Sequence, residues 1–247
     1  MRFKLKHHRK IIKILNSFNP TILQESYAYF GGGTLLALLF DEYRQSNDID
    51  FVCSLANSGY KNIRTFIFNN GISALFSDLN TISIQRYTID QYGIRILINI
   101  EETAIKTEII AEARFQVDEP IYPKWTKIPC LSVIDCFTYK LLANSDRYMD
   151  DSIESRDLID LAVLRLQSSI PQLAIEKAEQ AYEVIRPLRA AIKRFQTRPE
   201  YREKSLVNLK ISPDKFCMII DGIDLLADDM GLKKTERLFK EQPDLFI

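Results

Sequence analysis

YFGGGTLLALLFDEYRQSNDIDFVC, residues 29–53, decides the reading, because a strand, a glycine turn, an apolar helix and a second strand follow one another within it. Ser26 to Phe30 carries strand-forming residues, and Gly31-Gly32-Gly33 supplies the turn. Thr34 to Phe40 is an apolar run with Thr34 placed to cap a helix. Ile49 to Cys53 forms the next strand, whose alternation sends Ile49 and Phe51 toward a core and Asp48 and Asp50 to the opposite face.

Two carboxylates on one strand face repel each other unless a cation lies between them. Oxygen donors of this kind suit Mg²⁺ or Mn²⁺, and two such ions roughly 4 Å apart would activate an attacking oxygen and neutralise a departing pyrophosphate. The glycines complement this chemistry: backbone without Cβ atoms lets N–H groups approach phosphates, and the helix opening at Thr34 adds its positive end. Ser46, two residues before Asp48, offers a hydroxyl contact. A third carboxylate belongs on a neighbouring strand. In Ala104 to Ile110 the alternation puts Lys106 and Glu108 opposite Ile105, Thr107 and Ile109, which makes Glu108 the choice. Glu101, Glu102 and Glu112 are its substitutes should the register differ, and an edge salt bridge with Lys106 is the purely structural alternative.

Outward from this stretch, residues 3 to 18 space Phe3, Ile11, Ile12, Leu15 and Phe18 as an amphipathic basic helix ended by Asn19-Pro20. Tyr60 to Asn69 reads as a helix stopped by Asn70-Gly71, and β-rich runs follow around 81–88, 93–100 and 104–110. Pro120, Pro123 and Pro129 cluster where the β pattern ends, and everything past Ser132 is helical in period. The expectation is an α+β protein: a mixed-sheet domain over 1–125 that includes the basic helix, then a helical domain over 126–247.

Composition narrows the chemistry. Among 247 residues, 33 Lys+Arg balance 33 Asp+Glu, so net charge gives no footprint for nucleic acid or a membrane surface. Leu35 to Phe40 falls far short of the roughly 20 apolar residues needed to span a bilayer. Lys13 interrupts the N-terminal apolar residues, so no secretory leader is expected and the cytoplasm is the expected compartment. The four cysteines form no C-x-x-C pair and read as reduced, buried thiols. His7 and His8 are the only histidines, side by side on a basic helix, which leaves no three-histidine metal site and no Ser-His or Cys-His pair. Catalysis therefore falls to carboxylates. A dinucleotide-binding fingerprint would require a small residue where Leu36 stands, and no G-x-x-x-x-G-K-[ST] occurs. Between Arg186 and Lys210, eight basic residues face Glu200 and Glu203, with Arg186, Arg189 and Lys193 opposite Leu188, Ile192 and Phe195. This is either a solvated helix face or a phosphate-tracking surface.

Residues 29–53 resemble the AbiEii/AbiGii-type nucleotidyltransferase family, a branch of the DNA polymerase β-like superfamily that includes toxins of type IV toxin–antitoxin systems. The likeness lies in the glycine pair, the apolar helix and an Arg-x-Ser-x-Asp-x-Asp signature at Arg44, Ser46, Asp48 and Asp50. A second stretch, CFTYKLLANSDRYMDDSIESRDLIDLAVL, is similar to the family's helical motif at Lys140, Arg156, Asp157 and Asp160. The resemblance implies a polymerase β-like mixed sheet and transfer of a nucleoside monophosphate from an NTP to an acceptor hydroxyl. It implies RNA, a tRNA 3′ end in particular, as acceptor, and a cognate antitoxin as partner. Asp48, Asp50 and Glu108 would hold metal, and Gly31, Gly32, Gly33, Thr34, Arg44 and Ser46 would line the nucleotide. Lys140 would contact the triphosphate, and Asp157 would hold that lysine or the acceptor. Two rival hypotheses accompany this one: nucleotidylation of a small molecule or protein, and NTP binding without turnover by a regulatory protein.

Overall fold

In the computed structural model, which describes residues 3–241, the chain opens with α1 (Lys6–Ser17) and α2 (Pro20–Glu25). Asn19 caps α2 by accepting from the Thr21 and Ile22 amides, and Pro20 occupies its first turn. The decisive stretch follows as β1 (Ala28–Gly31), α3 (Gly32–Leu39) and β2 (Ile49–Ser54). Gly31 to Gly33 do not form a separate turn, and Thr34 is not the cap. Gly31 ends the strand and Gly32 already begins the helix. Gly32 makes the change of direction itself at φ +68°, a conformation glycine adopts without penalty. The expected ends of the two domains, residues 1–2 and 242–247, lie outside the described residues.

Next come α4 (Gly59–Asn70), β3 (Ser83–Ile89), β4 (Gly93–Ile100) and β5 (Thr103–Glu112). The five strands form one mixed sheet in the order β1-β2-β5-β4-β3. β2 and β5 run parallel, and every other neighbouring pair is antiparallel. Glu101 and Glu102 both have positive φ between Ile100 and Thr103, which are paired, so the β4–β5 connection is a two-residue turn matched to strand twist. Alternation is clean on β4, where Ile94, Ile96, Ile98 and Ile100 are buried and Arg95, Leu97 and Asn99 face the other side, half-buried. Phe18, Phe30, Phe51 and Phe76 join the buried face in a chain of ring contacts 4.3 to 5.9 Å between centroids.

The proline-bearing segment belongs with this sheet. Cys130 bridges both Ile121 and Phe30, and the Phe30 amide donates to the Pro129 carbonyl at 2.8 Å. It thereby covers the outer edge of β1, which would otherwise expose unpaired backbone groups.

The remaining helices are α5 (Val133–Arg147), α6 (Arg156–Gln167), α7 (Gln172–Glu179), α8 (Ile185–Gln196), α9 (Pro199–Asn208) and α10 (Phe216–Asp229). Contacts divide the chain into two compact units. One holds the chain up to Glu42 together with Ser46–Cys136; the other holds Tyr43–Gln45 and the chain from Phe137 onward. In the helical unit α6 packs on α10, with Leu158, Leu161 and Ala162 buried on one and Ile219, Ile223 and Leu226 on the other. No helix among the described residues is long and apolar enough to cross a membrane.

Gly222 sits where α10 meets α6 most closely: a Cβ there would stand 2.5 Å from the Ala162 carbonyl oxygen. Gly222→Ala is therefore expected to cost about 1–3 kcal/mol of stability, the usual penalty for overpacking. Urea denaturation measures it, and an unchanged midpoint would refute this account of the contact.

Candidate active site

Strand pairing lays out one row of residues across four strands. Gly31 pairs with Asp50, Asp50 with Glu108, and Glu108 with Arg95. Directly paired residues share a sheet face, so Asp50, Glu108 and Arg95 stand side by side opposite the isoleucine-lined core. Ile49, Phe51, Ile105, Thr107 and Ile109 are all buried on that core side, as the alternation requires. Asp48 lies exposed just ahead of β2. Gly32 closes on the row from α3: a Cβ on it would lie 2.6 Å from Asp50 Oδ2. Glycine is thus needed at this position twice over, for its backbone angle and for the space beside the carboxylate.

Of the carboxylates weighed as the third member, only Glu108 neighbours Asp50. Glu101 and Glu102 form the β4–β5 turn, with Glu101 paired to Lys13 at 2.5 Å, and Glu112 is gripped by Arg114. Glu108 itself is paired with Lys106 and lies 3.3 Å from Arg95 Nε. These two cations balance it, and among the described residues no three His, Cys, Asp or Glu side chains converge as a ready-made metal cluster. The donor set beside Gly32, all carboxylate oxygen, nonetheless suits a hard divalent cation in its chemistry, and the missing Cβ of Gly32 lets the Asp50 carboxylate lie close to the backbone of the first turn of α3.

The segment leading into β2 is tightly held. Thr34 Oγ1 donates to the Asp48 carbonyl at 2.5 Å and lies 2.7 Å from Ser46 Oγ. The Ser46 amide donates to His8 Nε2 at 3.1 Å, and His8 Nδ1 lies 2.8 Å from Glu42 Oε1. Burial pushes the His8 imidazolium below its ordinary pKa, against the raising effect of Glu42.

The second motif forms a buried ion cluster in the helical unit. Lys140 donates to Asp157 at 2.8 Å and pairs with Asp160 at 2.6 Å. Arg147 clasps Asp157 through Nε and Nη2, and Arg44 clasps Asp160 in the same way at 2.7 and 2.8 Å. Tyr43 Oη donates to Asp160 Oδ1 at 2.5 Å. Lys140 is only 3% exposed and Arg44 4%, whereas the Arg147 side chain retains 35%. The expected tie between Lys140 and Asp157 is therefore present, and Arg44, the first residue of the signature, is spent on Asp160. Arg156 lies half-buried at the start of α6.

Sequence reasoning missed Arg95, Arg147 and the His8–Glu42 pair. Alternation on β4 could have found Arg95; nothing local marks the others. Half of the eight basic residues from Arg186 to Lys210 are taken up by internal bonds, while the Arg186 side chain stays 80% exposed. Arg194 and Arg198 hold Asp151, Arg202 is buried against Glu241, and Arg189 donates to the Met230 carbonyl. Leu188, Ile192 and Phe195 are buried, as expected. Cys53, Cys130 and Cys136 are buried free thiols, and burial raises that of Cys53 to about 12.

The fold has a counterpart among solved structures. A crystal structure of a candidate nucleotidyltransferase from H. pylori superposes with a TM-score of 0.50 at 15% identity, covering 94% of this chain and 98% of the other. The Helicobacter pylori protein JHP933 gives 0.48 at 16% identity, with 91% and 92% covered. Among curated proteins no sequence matches. A family profile matches residues 13–241, nearly the whole chain, and the class follows: the protein is a nucleotidyltransferase. More particularly, the chain belongs to the AbiEii family, described as nucleotidyl transferase toxins of type IV toxin–antitoxin systems.

Two outcomes follow from this geometry. Burial alone would raise the Asp157 and Asp160 carboxyls, but for Asp157 the charges of Lys140 and Arg147, and for Asp160 those of Arg44 and Lys140, outweigh it and hold both below the ordinary 3.8. A depressed folded-state pKa contributes stability that is complete above the unfolded value and fades as pH falls toward the folded one. The share of stability these two carboxyls contribute should therefore hold from neutral pH to about 5 and decline below about 4, on top of an earlier decline in the denaturation midpoint as pH falls below about 6.5, where the depressed His8 imidazole takes up a proton more readily in the unfolded chain. Asp160→Asn should cost about 3–5 kcal/mol at pH 7, because it strands Arg44 and Lys140. A loss under 1 kcal/mol in urea titration would contradict the cluster's importance.

Proposed function

We propose that this site transfers a nucleoside monophosphate from an NTP to an acceptor hydroxyl, using Asp48, Asp50 and Glu108 as the residues that would hold Mg²⁺ or Mn²⁺. The observation that carries the reading is the register of Asp50 with Glu108 beside Gly32. When bound, a divalent cation supplies charge neutralisation at the phosphates and lowers the pKa of the attacking hydroxyl. The protein's own part is positional and proton-handling. Gly32 keeps backbone close to the site without a side chain, and the first turn of α3, from Gly32 to Thr34, offers its N–H groups to phosphate oxygens. Ser46 adds a hydroxyl. Glu108 accepts the proton of the acceptor hydroxyl at a carboxylate oxygen, so the acceptor oxygen bonds to the α-phosphorus as the bond to the β-phosphate oxygen breaks and pyrophosphate departs.

Lys140 has two of its three N–H groups committed to Asp157 and Asp160, and the third is our choice for a triphosphate oxygen. Asp157 holds that lysine in place. RNA, with a tRNA 3′ end foremost, is the acceptor that membership of the family favours, and an antitoxin is the protein partner. A second reading, nucleotidylation of a small molecule or a protein, draws support from the internal bonding of Arg189, Arg194, Arg198 and Arg202, which reduces the cationic surface open to RNA.

The test incubates the full chain with Mg²⁺ and each labelled NTP, in separate arms with total RNA, a protein extract and a small-molecule extract. Label is expected in RNA, to be abolished by chelating the metal and reduced on the order of 100-fold by Asp48→Ala. Equal labelling by wild type and Asp48→Ala defeats the mechanism; label confined to another arm changes the acceptor. In the same assay Gly32→Ala is expected to lose on the order of 100-fold, because its Cβ would displace Asp50.

A further inference from the structure

His7 and His8 precede the residues matched to the family, and neither belongs to the site as described so far. Yet both reach the segment between α3 and β2 on which the signature is carried. His8 is completely buried. A backbone amide only donates, so the 3.1 Å bond from Ser46 N requires an unprotonated Nε2, and Nδ1 must then carry the proton and donate to Glu42 Oε1. His7 differs in that its Nε2 carries a proton: the Asn47 carbonyl only accepts, so Nε2 donates to it at 3.0 Å.

Glu42 is held from several sides. Its carboxylate accepts from the Lys4 amide at 2.5 Å and the Leu5 amide at 3.0 Å, as well as from His8. It is also one of two successive non-glycine residues, Asp41 and Glu42, in the left-handed region, at φ 52° and 49°. Side chains rarely adopt this conformation, and it persists where surrounding contacts over-determine it. From Glu42 the constraint passes through the imidazole to Ser46 N. From Ser46 it passes through Thr34 to the Asp48 carbonyl.

Resting on the transfer chemistry proposed above, we infer that His8 is a positioning residue: a neutral imidazole that clamps the Ser46 amide to Glu42 and thereby sets the backbone from which Asp48 and Asp50 project. It touches no reacting atom. Its chemistry requires one acceptor and one donor at fixed separation, which glutamine supplies in part through its amide oxygen and nitrogen and alanine does not.

The experiment compares the full-length wild type with His8→Ala and His8→Gln, measuring nucleotide transfer and amide hydrogen exchange at Ser46. In wild type the Ser46 amide is expected to be protected; His8→Ala should speed its exchange and lower kcat, each on the order of tenfold per folded molecule, with KM for NTP within about twofold. His8→Gln should recover most of both. Unchanged Ser46 exchange in His8→Ala overturns the clamp, and faster exchange with unchanged kcat overturns its bearing on catalysis. Should wild type transfer no nucleotide in any arm, the transfer reading fails, while Ser46 exchange still decides whether His8 holds the segment. Nitrogen chemical shifts of His8 give an independent readout: the neutral Nδ1–H tautomer is required at pH 7, and the Nε2–H tautomer or the doubly protonated ring overturns the clamp.

Discussion

The parallel pairing of β2 with β5, set between antiparallel neighbours, is the constraint on which the polar row of Asp50, Glu108 and Arg95 depends. β2 arrives early in the chain and β5 more than fifty residues later, and only their pairing brings Asp50 beside Glu108. A shift of one residue would turn Glu108 toward the core and bring a neighbouring residue beside Asp50. The register is held by what lies behind it. Phe51 and Ile109 are paired and fully buried, as are Ile49 and Thr107, so slipping would drive charged side chains into the apolar layer. The hydrophobic core and the polar row are thus two sides of one fact of strand geometry.

The helical unit uses a different principle. Lys140, Asp157, Asp160 and Arg44 are removed from water as a set, and each carboxylate is matched by at least two cationic donors. Such a cluster adds little to stability against an apolar alternative of equal volume, but any single loss is costly. Its value lies in fixing orientation. Lys140 is held between two aspartates, while Arg147, clasping the same Asp157, keeps about a third of its side chain at the surface.

Much of this was legible in the residues. Alternation around Asp50 and Glu108 placed both opposite the apolar core, where they stand, and the β-rich runs giving way to helical periodicity foretold a mixed sheet followed by helices. Periodicity succeeded there because burial in a sheet or a helix is a local property. It failed at Gly31 to Gly33, where a turn was expected; a residue without Cβ lets a strand pass straight into a helix, which no propensity describes. It also could not show that Arg44, Arg194, Arg198 and Arg202 are committed to partners 39 to 116 residues away. The His8–Glu42 pairing spans 34 residues and joins a helical histidine to a glutamate in the turn after α3, neither of which stands out in its own stretch of sequence. Long-range polar partners leave no period to read.

Tyr43, Arg44 and Gln45 interrupt the sheet unit and are counted with the helical one, so the chain passes from the first unit to the second, back again, and across once more. During synthesis Arg44 leaves the ribosome long before Asp160 exists, 116 residues further on, and its guanidinium must wait for its carboxylates. The helical half therefore cannot complete its polar core from its own continuous sequence, however many of its helices form on time. Excising it as a separate fragment would remove not a linker but a structural part. In this molecule the divisions of space and the order of the gene do not coincide, and the tripeptide that breaks the correspondence is the one that leads into Asp48 and Asp50.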